Sequence, residues 1–152
     1  MSAISEIFDT LKASITEVLP EHMWLSDPRL IESNSELDLN KGVGIALGAG
    51  EAIQREIDKH IWISREVSVT ITRRHFASEL NREDQENEEK NLLEDQKLLI
   101  VKFMNDPLDE VAKSVSKALF LGDNGIENVF GDSGSFLKIT TRFQVQYREI
   151  IQ

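Results

Sequence analysis

The chain has 152 residues and no cysteine, with 40% hydrophobic and 29% charged residues. That length supports one hydrophobic core rather than two, and the missing thiols exclude disulfides, thiolate zinc sites and a cysteine nucleophile. The formal charge is −10, from 27 acids and 17 bases, a balance that opposes sequence-independent DNA binding, where Lys and Arg must displace phosphate counterions.

No apolar run approaches the roughly 18–20 residues of a membrane helix. The first residues show no basic start followed by an apolar stretch, so no secretory signal is expected and synthesis in a cytoplasm fits. Much of the charge is local: Glu79–Asp95 ("ELNREDQENEEKNLLED") carries eight acids and two bases, leaving only −4 for the rest of the chain. The small basic cluster Arg73, Arg74 and His75 does not reverse that balance.

Residues 3–19 predict a helix, with Ile4, Ile7, Phe8, Leu11, Ile15, Val18 and Leu19 on one stripe. Ser2 or Ser5 is placed to cap it and Pro20 ends it. Asp27-Pro28 predicts a turn, and Arg29–Leu39 is read as containing a strand. "GVGIALGAG" then reads as a glycine-spaced strand, Val43, Ile45 and Leu47 pointing one way and Gly44, Ala46 and Gly48 the other. A polar, charged stretch with Gln54, Arg55, Asp58 and Lys59 follows it.

Ile61–Arg74 is the clearest strand, about 14 residues of alternating apolar and polar side chains. The acidic stretch leads into a helix over about Glu86–Met104, with Leu92, Leu93, Leu99, Ile100 and Phe103 as its apolar face and Gln96 beside it. Asp106-Pro107 opens a further helix that Leu108, Val111, Ala112, Val115, Ala118 and Leu119 continue to about Phe120. A turn at Leu121–Gly125, a short strand Ile126–Phe130 and a turn at Gly131–Ser135 precede the last strand, Phe136–Ile150. That strand buries Leu137, Ile139, Phe143, Val145 and Tyr147. The order implies a single α+β domain over 1–152, a mostly antiparallel sheet packed against an N-terminal helix and two central helices.

The glycine segment is the first place to look for chemistry. A dinucleotide fingerprint needs a third glycine where Leu47 stands, and a phosphate loop needs a Gly-Lys-Ser/Thr ending that is absent. His22, His60 and His75 lack ligand spacing, and no glycine between Gly50 and Gly122 completes a calcium loop. "GDSG" at 131–134 reads as a turn rather than a protease signature. Glu51, Glu56 and Asp58 are carboxylates among 27 acids and select no acid–base pair. No catalytic, cofactor or metal site is expected, and the chain is not expected to be an enzyme.

In layout the chain resembles phage neck and tail-completion proteins, most of all the tail terminators of long-tailed phages. The segments that carry the resemblance are Asn40–Gly50, Ser64–Phe76 ("SREVSVTITRRHF"), Glu94–Asp106 ("EDQKLLIVKFMND") and Phe136–Glu149, with its "FQVQYRE" end. The resemblance implies a structural virion subunit, made in the host cytoplasm, that forms a ring, commonly of six, where tail meets head. Its partners would be copies of itself, the tail tube protein and the head connector or stopper, with DNA passing through the lumen without specific binding and no membrane involved. Candidate interface residues are Arg65, Arg73 and Arg74 on the long strand and Glu83, Asp84, Glu86, Glu88 and Glu89 in the acidic stretch, because charged groups at the ends of long strands are placed to pair between subunits. The rival reading is a non-structural cytoplasmic adaptor or binding module that uses the acidic stretch, expected to be a loop over Glu79–Glu89, on a basic partner.

Overall fold

The computed structural model of the chain describes residues 3–25, 41–55, 60–75, 82–105, 115–131 and 134–150. Helix α1 (Ala3–Val18) forms where the stripe predicted it, and Ile7, Leu11 and Ile15 are buried along it. Its first turn leaves amide protons without helical partners; at Ile4 the carboxylate of Glu149 accepts one at 3.0 Å, tying the helix start to the far end of the sheet. Strand β1 (Met23–Trp24) is short, and four long strands follow: β2 (Lys41–Arg55), β3 (His60–His75), β4 (Val115–Gly131) and β5 (Gly134–Ile150). Helix α2 (Arg82–Asn105) separates β3 from β4.

The sheet order is β1-β2-β3-β5-β4. Among the described residues the β1–β2 pair is parallel, and β2–β3, β3–β5 and β4–β5 are antiparallel. The fold is therefore α+β, with both helices on one face of the sheet. Their stripes meet Val43, Val67, Val69, Ile71, Leu137, Ile139, Phe143, Val145 and Tyr147 in one core. The alternation of Ile61–Arg74 is borne out: Val67, Val69 and Ile71 are fully buried. So are the odd positions of β5 from Leu137 to Tyr147, with Thr141 between Ile139 and Phe143. On the opposite face Leu25, Val129 and Phe136 form a small second cluster among the described residues.

Three expectations are corrected. Val115–Phe120, expected to end a second central helix, is the start of β4. Here pairing with β5 decides, setting Ala118 opposite Val145 and Phe120 opposite Phe143, and such tertiary pairing overrides a helical periodicity of short apolar residues. The first part of that expected helix, 106–114, lies outside the described residues, as does the expected strand at Arg29–Leu39 with the turn before it.

The turn expected at Leu121–Gly125 is instead an irregularity within one continuous strand: the β4–β5 register shifts between Phe120 and Gly122 and again between Asp123 and Ile126. Gly125 adopts φ 80° there, a left-handed conformation that glycine tolerates without a Cβ penalty, and its amide donates to Asp123 Oδ1 at 2.8 Å. Leu93, placed on the apolar face of α2, is 45% exposed. At 100° per residue Leu92, Gln96, Leu99 and Phe103 share one arc, and Leu93 falls outside it.

Candidate functional site

Two neighbouring residues of α2 carry polar groups into the core, where an apolar helix stripe would be expected to continue. Gln96 Nε2 donates to Thr141 Oγ1 at 3.1 Å and to Asp123 Oδ2 at 3.0 Å. These bonds fasten the helix over the irregular part of β4. Asp95 turns the other way and receives a fork from Arg73 on β3, Nε to Oδ2 at 2.7 Å and Nη2 to Oδ1 at 3.1 Å. His22 Nε2 lies 3.2 Å from the same Oδ2. An ionised carboxylate only accepts, so Nε2 carries the proton and donates.

These side chains are nearly sealed: relative exposures are 4% for His22, 9% for Asp95 and 15% for Arg73. Burial disfavours the charge on Asp95, but hydrogen bonds from His22 and Arg73, together with Arg73's positive charge, outweigh it and hold the carboxyl below its usual value. The hydrogen bond to Asp95 in turn raises Arg73, against burial. At the rim, Lys41 Nζ binds Glu21 Oε2 at 2.8 Å.

A His–Asp pair with an arginine suggests acid–base chemistry, but the geometry does not serve it. Asp95 already accepts three hydrogen bonds, and His22 Nδ1 is buried with no hydrogen-bond partner among the described residues. The cluster joins β1's approach, β3 and α2, and what it can do is hold them together. Among the described residues no group of three or more His, Asp or Glu is placed to hold a metal.

The glycine segment has a comparable answer. Arg65 lies flat on β2, its Nη1 donating to the Gly48 carbonyl at 2.9 Å and its Nε to the Tyr147 hydroxyl at 3.0 Å. A Cβ on Gly50 would stand 2.6 Å from that guanidinium, so the glycines admit an arginine of the same chain, where a phosphate loop would wrap a ligand. Replacing Tyr147 by Phe removes the acceptor and keeps the ring; the expected loss in urea unfolding is about 1–2 kcal/mol. Gly50→Val should displace the same arginine, and because both act through Arg65 the double variant should lose less than the two single losses added.

Of the candidate interface residues, Arg65 and Arg73 occupy opposite ends of β3 and are engaged within the subunit. Arg74 stands opposite Phe136 in the β3–β5 register, on the other face of the sheet. The acidic residues begin α2 rather than forming a loop. There the positive end of the helix dipole favours them. Glu86 is exposed and Glu88 and Glu89 half-buried; the side chains of Glu83 and Asp84 lie outside the described residues. Arg73 Nη1 and Glu88 Oε2 come together at 3.8 Å.

Sequence reasoning missed Asp95, Thr141 and His22. For Asp95 the signal was present, an acid three residues after Leu92 and four before Leu99, on the inward arc. Compared with known proteins, the chain matches no protein-family model and no curated protein.

What remains for an outside partner is apolar. Leu93, Leu98, Val101 and Met104 are 45–56% exposed and lie on the side of α2 opposite its core stripe. Phe120 and Leu121 are exposed on β4, and Leu47 and Ile53 on β2. No described helix is long and apolar enough to cross a membrane.

Proposed function

We propose that the chain is a structural subunit of a phage neck, of the tail-terminator or tail-completion kind, which assembles with copies of itself into a ring between tail tube and head connector. The observation that carries this reading is α2: a helix with one stripe in the core and a second, exposed stripe of Leu93, Leu98, Val101 and Met104 facing away from it. An apolar stripe on a helix that already has its core is the mark of a subunit surface. The segments that carry the resemblance support it too, since they form the start of β2, most of β3, the last half of α2 and nearly all of β5. Among the described residues, His22, Asp95 and Arg73 join strand to helix, which suits a building part.

Native mass measurement over a wide concentration range, with negative-stain images of the large species, tests the reading. A closed ring with a central hole is the expected result. A stable dimer would favour the rival, a cytoplasmic adaptor whose acidic helix start meets a basic partner. The variant Leu98→Glu/Val101→Glu changes two exposed residues and is expected to shift monomer stability by no more than about 0.5 kcal/mol per site. Its share of ring at a given concentration should fall clearly; unchanged assembly would remove the α2 stripe from the interface.

A further inference from the structure

Among the described residues, both sides of the sheet end in strand backbone that no further strand pairs with. Among the described residues β1 pairs with β2 only at Gly42 and Val43, so from Gly44 onward β2 has no strand partner on that side. At the opposite side β4 is the outermost strand over its whole length. Unpaired edges present rows of N–H and C=O groups that another strand can take up.

The edge of β2 is also shaped. Ile4, Ser5, Phe8 and Asp9 of α1 form with Leu47 a groove of about 300 Å³ along it. Lys12 Nζ lies 5.4 Å from the ring of Phe8, a lining residue, and 5.2 Å from the Trp24 ring. The groove lies on the helix-covered face of the sheet. Phe120 of β4 is on that same face, its ring 6.0 Å from Phe143 in the core, and it is 39% exposed.

Strand direction restricts what fits. The order β2-β3-β5-β4 alternates at every step, so the outer strands run in opposite senses. A second copy turned about an axis along the strands therefore brings its β4 antiparallel to β2, with the helix-covered faces on the same side. Repeating that step joins two different surfaces head to tail, the kind of contact that closes rings.

We propose that β4 of one copy adds to the β2 edge of the next, seating Phe120 in the groove of Ile4, Phe8 and Leu47. This rests on the self-assembly read above and names its seam. With Phe120 opposite Leu47, the same register puts Leu121 opposite Ala46. The β4–β5 register shifts between Phe120 and Gly122 and again between Asp123 and Ile126, so pairing uses the stretch before Gly122. Leu47 and Phe120, each 39% exposed in the single subunit, cover one another.

The chain has no cysteine, so introduced thiols report cleanly. Leu47→Cys and Phe120→Cys are purified separately, mixed at a concentration where the protein is oligomeric, oxidised and run without reductant. The expected result is a disulfide-linked dimer in the mixture and none in either variant alone, and a ladder from the double variant. The pair Ala46→Cys with Leu121→Cys repeats the test in the same register if Phe120→Cys fails to fold by circular dichroism. Cross-linking of the β4 variant with itself, or a mixture with no cross-link, overturns the proposal. Rings by native mass without the cross-link would sink this seam and leave the neck reading standing; the cross-link in open chains or dimers would keep the seam and sink the ring.

Discussion

Replacing Asp95 by Ala is expected to cost about 3–5 kcal/mol at neutral pH, because it strands a buried arginine that nothing else fully neutralises. Among the described residues Arg73 keeps Glu88 as its remaining ion pair, at 3.8 Å, and His22 loses its acceptor. The loss should carry a pH signature. Asp95 titrates below its usual value in the folded chain, so its contribution is complete above the unfolded carboxylate value of about 4 and is lost as pH falls through the lowered folded value. Urea unfolding at neutral, mildly acidic and strongly acidic pH should therefore show a constant gap between parent and variant in the first two conditions and a narrowing one in the third. A gap unchanged at strongly acidic pH would mean that the carboxylate's charge is not what binds β3 to α2.

The second large effect is expected at Phe143, which is 1% exposed in the middle of β5. Its ring meets Phe103 of α2 at 4.7 Å and Phe120 of β4 at 6.0 Å, both tilted. Phe143→Ala should cost about 3–5 kcal/mol through lost transfer energy and the cavity left behind. Phe143→Leu, which refills most of that volume, should restore over half of it. Thermal unfolding with circular dichroism measures both. If the two variants fall equally, the ring-on-ring contacts rather than the filled volume hold the centre of the sheet.

The strand and helix periodicities were readable because their side-chain sets are long and clean. Val67, Val69 and Ile71 alternate without interruption, and Ile7, Leu11 and Ile15 recur every four residues. Val115–Phe120 misled because small and apolar residues there satisfy a helical spacing as readily as a strand, and only β5, absent from any local window, separates the two. The polar core was less legible still. Asp95, Gln96 and Thr141 look like surface residues by type, and their partners lie 22, 27 and 45 positions away along the chain. The glycines of β2 were read correctly as strand, but the side chain that needs them, Arg65, is set by a register that local pattern does not contain.

The central seam of the sheet also governs how the molecule is made. The two hairpin-like pairs, β2 with β3 and β4 with β5, close short loops, whereas β3 and β5 align over sixteen consecutive residue pairs from His60–Ile150 to His75–Ser135. No pair in that seam is fewer than 60 residues apart in the chain, the separation of His75 and Ser135. Joining segments so distant costs loop-closure entropy before any contact repays it. During synthesis the first pair emerges complete while the strand it must meet is still unmade, so Val67, Val69 and Ile71 wait for their β5 neighbours until that strand has been made. Production of the chain is thus exposed to aggregation in the interval between the two halves, and its yield should depend on how quickly the second half arrives.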